Sequence, residues 1–318
     1  MILALLFILL GFALLIGGAD WLVKGAVAMA AKLKIPAVIV GLTIVAFGTS
    51  APEFMVSLKA ALGGNAGIAT GNIVGSNIAN ILLILGAASV VYPVVCNRKE
   101  FLRDYKFLLF VTLIFSLFAI TGKFVLWHGV VMLAILALFL FFNYKNSQST
   151  EVSSEAQSAI ADKNWFYVIS VMLIGLGAII YGADLLVDGA VKIARLLGVS
   201  EEIIGLTIIA VGTSLPELAT TVVAAIKKQN GVALGNIIGS NIWNIVFIMG
   251  ATSVFVDVEV AHQFLVYDIW VMLGATLLLL PIMLSQNTII RGEGVLFLVL
   301  YIFYITSQVL IAKGIWMI

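Results

Sequence analysis

Two glutamates stand inside apolar stretches of this chain, each at the end of the same six-residue pattern. The first copy is Gly48-Thr49-Ser50-Ala51-Pro52-Glu53 and the second is Gly212-Thr213-Ser214-Leu215-Pro216-Glu217. A carboxylate in apolar surroundings must be protonated, paired with a cationic side chain or bound to a cation. No Lys or Arg lies in the middle of either stretch to supply the pairing. Two carboxylates match the charge of one divalent ion. The prolines add to this chemistry: each removes a backbone donor, so the carbonyls of Gly48 and Gly212 lose their helical partners. The residues before them, Ala51 and Leu215, are pushed away from helical angles. Each motif therefore predicts a broken helix whose freed carbonyls and Thr/Ser hydroxyls point into the protein.

A second pattern follows each glutamate. Gly71-Asn72-Ile73-Val74-Gly75-Ser76-Asn77-Ile78-Ala79-Asn80 recurs, with small changes, from Gly235 to Asn244. Asn72, Ser76 and Asn80 are four residues apart and fall on one helix face, as do Asn236, Ser240 and Asn244. The pairs Gly71/Gly75 and Gly235/Gly239 have the spacing that lets helix backbones approach closely. Amides and hydroxyls at such interfaces often do no more than join helices. Beside the paired glutamates they complete an oxygen-lined site. Carboxylates, amide oxygens, hydroxyls and carbonyls are hard ligands suited to calcium or sodium, and the absence of His, Cys and Met from both motifs disfavours zinc, copper and iron.

These motifs need elements that hold them away from water. The 318 residues are 63% hydrophobic and only 10% charged, with mean hydropathy +1.19. Soluble domains carry about 25% charged residues. Ten apolar runs of roughly membrane-spanning length begin near Met1, Pro36, Gly67, Tyr105, Phe124, Trp165, Glu201, Gly231, Val266 and Gly294. Their length and lack of period-two alternation predict helices. The first run lacks the charged start and small-residue cleavage site of a signal peptide and is expected to be retained. A single cysteine, Cys96, rules out an internal disulfide, and a net charge of +1 gives no sign of nucleic-acid binding. Both termini outside puts 12 of the 17 Lys and Arg residues on the inner side, which favours that orientation.

The chain also contains itself twice. Ile16–Ile81 aligns with Ile180–Ile245 at a constant offset of 164 residues, about half the positions being identical. The expected organisation is a first repeat over 1–142, a polar cytoplasmic linker over 143–164 and a second repeat over 165–318. Five spans per half is an odd number, so the second half must enter the membrane from the opposite side. The predicted fold is an all-α integral membrane protein of ten transmembrane helices in two inverted five-helix repeats. Inverted repeats of this kind place substrate sites near the bilayer midplane.

With paired GTSxPE and GNxxGSN segments over nearly its whole length, the chain resembles the calcium/cation antiporter superfamily, and within it the prokaryotic sodium/calcium exchangers. The resemblance implies an antiporter, not an enzyme, that needs no cofactor and exchanges calcium for sodium by alternating access. It implies a prokaryotic plasma membrane, with lipid and the transported ions as its partners and no protein partner. The glutamates corresponding to Glu53 and Glu217 are the family's shared calcium ligands. Its other ion contacts fall on Ala46, Thr49, Ser50, Ser76 and Asn80, and on Ala210, Thr213, Ser214, Ser240 and Asn244. The helices that slide during transport correspond to those carrying Asp20 and Asp184. Many relatives have an aspartate at one of the two positions held here by Asn80 and Asn244, so this site has one carboxylate fewer. A calcium/proton antiporter is therefore the second reading. A cation channel ranks lower, and an intramembrane hydrolase lacks its nucleophile and base. Outside the motifs, Asp20 and Asp184 read as interfacial, with Lys24 placed to pair with Asp20, and His128 and His262 also read as interfacial.

Overall fold

The computed structural model describes residues 1–147, 162–197, 208 and 210–316. Most of the predicted linker and the start of the run at Glu201 lie outside the described residues. The chain is helical apart from four two-residue strands. α1 is Ile2–Leu33, and a bent pair follows, α2 (Ala37–Thr49) and α3 (Ala51–Leu62). Then come α4 (Ala66–Val91), α5 (Arg98–Ala119), α6 (Leu126–Ser147) and α7 (Trp165–Leu196). α8 (Ala210–Thr213) and α9 (Leu215–Ile226) repeat the broken motif. α10 (Asn230–Phe255), α11 (Phe264–Ser285) and α12 (Arg291–Ala312) complete the fold.

Among the described residues, seven helices are long and apolar enough to cross a membrane, and α2 with α3 makes an eighth. Of the other two expected runs, the one beginning at Tyr105 lies on α5. That helix carries Arg98, Lys99, Glu100, Arg103, Asp104 and Lys106 before it turns apolar. The one beginning at Glu201 is described only from its later part, through α9.

The strands join distant parts of the chain. β1 (Val94–Val95) pairs antiparallel with β4 (Thr288–Ile289), and β2 (Lys123–Phe124) with β3 (Val258–Glu259). α5 runs from β1 to β2, so the two ribbons cap opposite ends of it. Val94, Phe124, Val258 and Ile289 are all fully buried, so each ribbon closes over apolar side chains.

The interior divides in two. One large apolar cluster is built from α4, α5, α6, α10, α11 and α12, together with part of α2. A separate cluster joins α1 and α7 to α2, α9 and the start of α10. α1 and α7 lie antiparallel along a seam of glycines. A methyl group placed on Gly11 would sit 2.7 Å from the carbonyl oxygen of Gly182, and one on Gly18 would sit 2.7 Å from that of Gly175. Only hydrogen side chains permit backbones this close.

Candidate cation site between two broken helices

The two GTSxPE motifs are bent where the sequence places them, but one residue earlier than expected. The break falls on Ser50 and Ser214, at φ −83° and −87° with ψ near zero, while Ala51 and Leu215 already belong to the following helix. Proline is well tolerated in the first turn of a helix, where its missing N–H has no partner to lose. Pro52 and Pro216 therefore sit second in α3 and α9, and the departure from helical angles falls on the serines before them. α2 and α3 meet at 45°. Glu53 and Glu217 sit in the first turns of α3 and α9, each only 1% exposed.

The two breaks are cross-connected. The Ser50 hydroxyl donates to Glu217 Oε1 at 3.0 Å, and the Ser214 hydroxyl donates to Ser76 Oγ of the other half at 3.5 Å. The Thr49 hydroxyl donates to Asn236 Oδ1 at 3.1 Å, and the Thr213 hydroxyl to Asn72 Oδ1 at 3.5 Å. Each half thus binds the other half's acceptors, and the two carboxylates are close enough to repel each other.

Most of the residues expected here from the sequence are buried in the protein. Ala46, Thr49, Ser50, Ser76, Asn80, Ser214, Ser240 and Asn244 are buried, and Thr213 is half-buried. The side chain of Ala210 lies outside the described residues. The carbonyl of Ala46 accepts from the Ser50 N–H and the Thr49 hydroxyl. Several buried oxygens of this set have no hydrogen-bond partner: Glu53 Oε2, Glu217 Oε2, Asn80 Oδ1, Asn244 Oδ1 and Ser240 Oγ. Buried acceptors are almost always satisfied in folded proteins. Five orphaned oxygens, two of them on carboxylates, make an arrangement suited to a hard cation. Among the described residues no cluster of three or more His, Cys, Asp or Glu exists, and the orphaned oxygens beside those of Glu53 and Glu217 belong to neutral side chains.

Asn80 opens a π-helical turn, Asn80–Leu85, and Asn244 lies in another, Trp243–Met249. Such turns skip one hydrogen-bond register, and they recur at functional sites. A third, Gly41–Val45, precedes the first broken motif, and Trp243 Nε1 donates to its Leu42 carbonyl at 3.0 Å.

The remaining sequence candidates lie elsewhere. Asp20 pairs with Lys24 at 2.6 Å, as its spacing predicts, and also with Lys227 at the end of α9. Asp184 is exposed and His262 is exposed. His128 is buried at the start of α6, where its Nδ1 accepts the Val125 N–H and its ring packs on Phe118 and Trp127. Sequence reading did not single out Asn241, whose carbonyl oxygen accepts from Asn80 Nδ2 at 3.2 Å. It also missed Asp268, fully buried on α11 and hydrogen-bonded by Tyr304 at 2.9 Å and by Gln308. Asp268 lies 164 residues after Asp104, which is buried on α5 and paired with Arg103. That offset was the available signal.

A helical membrane fold with a buried two-carboxylate oxygen site defines the class, and comparison with known proteins places the chain within it. The chain belongs to the sodium/calcium exchanger protein family, whose sequence profile matches residues 3–145 and 167–310. CaxA of Alkalimonas amylolytica is 39% identical over 316 residues, covering 96% of this chain and 98% of that protein. The sodium/calcium exchanger MaX1 of Methanosarcina acetivorans is 32% identical over 338 residues, covering 94% and 97%. A solved structure of the sodium-calcium exchanger NCX_Mj, soaked with zero sodium and calcium, superposes with a TM-score of 0.84 at 34% identity, covering 96% of this chain and 99% of that one.

Proposed function

We propose that this chain is a secondary antiporter that exchanges calcium for sodium across a prokaryotic plasma membrane by alternating access. The observation that carries the reading is the pair of buried glutamates, each with one oxygen unpartnered, with Ser50 of the first half donating to Glu217 of the second. Calcium, or its counter-ion, is held between Glu53 and Glu217. Further oxygens come from Thr49, Ser50, Ser76, Asn80 and the Ala46 carbonyl in one half, and from Thr213, Ser214, Ser240, Asn244 and the Ala210 carbonyl in the other.

The chain comprises ten spans in two inverted repeats, 1–142 and 165–318, joined by a cytoplasmic linker, with both termini outside. Three features support the inversion. The odd number of spans per half requires it, the hydrogen bonds between the breaks are reciprocal, and the two strand ribbons cap opposite ends of α5. The first repeat's β1 and the second repeat's β3 occupy equivalent sequence positions, so the repeat exchanges one ribbon for the other.

Coupling follows from charge. An empty site leaves two carboxylates uncompensated inside the membrane, which is costly. Calcium or monovalent cations satisfy them, and only then do α1 and α7 slide along the core and expose the site to the other side. The lipid-facing position of α1 and α7 and their glycine seam suit that motion.

Uptake of radioactive calcium into liposomes carrying the purified protein tests this reading, with internal sodium and an imposed proton gradient applied separately. Sodium-driven uptake that is lost in Glu53→Gln and Glu217→Gln is the expected result. Uptake driven by the proton gradient alone would keep the site and change the counter-ion. Glutamate-independent calcium movement under both gradients would overturn the proposal.

A further inference from the structure

Asn72 and Asn236 begin the polar stripes but behave differently from the other stripe members. The Asn72 amide donates to the main-chain carbonyl of Glu53 at 3.0 Å and to the Ser57 hydroxyl at 2.9 Å. The Asn236 amide donates to the carbonyl of Glu217 at 3.5 Å and to the Thr221 hydroxyl at 3.0 Å. Their carbonyl oxygens are occupied as well, by Thr213 and Thr49 of the opposite half. Neither residue has an orphaned side-chain atom, in contrast to Asn80 and Asn244.

We infer that Asn72 and Asn236 are positioning residues rather than ion ligands. Each is a clamp with one hand on its own glutamate's backbone and the other on the opposite half's threonine. An asparagine suits the task because its amide has two donors and its carbonyl two acceptor sites, at fixed geometry. By donating to the main-chain carbonyl of each glutamate, the clamp anchors the first turn of α3 and α9 to the neighbouring helix. The Asn236 clamp has the shorter bond to its threonine and the Asn72 clamp the shorter bond to its glutamate's carbonyl. The inference rests on the exchange-site reading above and names what holds that site's ligands in place.

The test uses Thr221, which lies outside the proposed ligand set, together with Thr49, the clamp's partner in the other half. Thr221→Val, Asn236→Ala and Thr49→Val are each assayed in liposomes for half-saturating calcium and maximal rate, with thermal unfolding midpoints as a control on folding. Positioning predicts that Asn236→Ala raises half-saturating calcium about tenfold, within the range seen when groups supporting a metal's ligands are lost. Thr221→Val raises it in the same direction, and the double variant is no worse than Asn236→Ala alone. The pairing across halves gives a sharper reading. Asn236→Ala with Thr49→Val is non-additive, whereas Asn72→Ala with Thr49→Val multiplies, although residues 49 and 72 belong to one repeat. An inert Thr221→Val, or equal additivity in both combinations, would overturn the clamp while leaving the exchange site standing. Loss of sodium-dependent uptake in the unaltered protein would overturn both.

Discussion

The pair α4 and α10 differs sharply from the pair α1 and α7, although all four are apolar helices. In α4 and α10, 78% and 94% of the most apolar window is buried; in α1 and α7 the shares are 28% and 33%. The buried pair carries the two polar stripes, and Asn72, Ser76, Asn80 and Asn236 are bonded across the repeats. The exposed pair carries no residue of the proposed site and meets itself along glycines. One ionic cluster ties α1 to the end of α9, Asp20 with Lys24 and Lys227. A helix packed on all sides holds ligand atoms to a fixed geometry. A pair packed on one face, through a smooth seam, can shift without breaking many specific contacts. On the proposed mechanism, the difference separates the part that would recognise the ion from the part that would move around it.

The most severe way to break the recognising part is to remove a charge. Glu53→Gln or Glu217→Gln is expected to lower the calcium uptake rate at least about a hundred-fold, equivalent to roughly 3 kcal/mol. Retained uptake in either variant would place the ion elsewhere.

Overpacking the core comes next. A methyl group on Gly239 would sit 2.6 Å from the Leu42 carbonyl and 2.7 Å from the Ala46 Cβ, against the irregular turn that leads into the first break. Gly239→Ala is expected to cost about 1–3 kcal/mol of stability and to weaken calcium binding, as measured by calorimetry on the detergent-solubilised protein. An unchanged unfolding midpoint would show that α2 can retreat from α10.

The seam offers the contrasting measurement. Gly18→Ala and Gly175→Ala push α1 and α7 apart and are expected to slow exchange by about tenfold, a barrier change on the scale of overpacking. Equilibrium calcium binding should stay as it was, because neither glycine supports a site residue. Equal losses of rate and binding would mean that the two regions are not separate.

The smallest effect is expected at the ionic tie. The positions equivalent to Lys24 and Lys227 in the other half are Asp188 and Gly63, so the tie has no counterpart made from those positions. Partly exposed pairs contribute about 0–1 kcal/mol. Lys227→Met should therefore shift half-saturating sodium on one face of the membrane by no more than about fivefold. An equal shift on both faces would show that the tie does not distinguish the two access states.

How far the site was legible can be read from individual residues. Glu53 and Glu217 stood out because carboxylates are costly in apolar runs, and the constant offset brought their neighbours in with them. The bend was legible too, but its position was not: the rule for a residue preceding proline pointed to Ala51, and the first-turn tolerance of Pro52 moved the break to Ser50. Asn72 looked like a member of a ligand stripe, since four-residue spacing shows which face a side chain occupies but not which partner its amide finds. The seam glycines Gly11, Gly18, Gly175 and Gly182 carried a seven-residue spacing that passed unnoticed among 29 glycines.

Composition, run length, internal duplication and the two acidic motifs are properties of the chain alone, and they determined a helical membrane protein with paired oxygen-rich segments. They suffice because burial cost and helical periodicity act locally. Only the tertiary structure decided that Ser50 serves Glu217 rather than Glu53, that Asn236 answers Thr49, and that α1 meets α7 backbone to backbone. Those choices depend on how two similar halves face one another, and residues more than 160 positions apart can reveal that only once they are folded together.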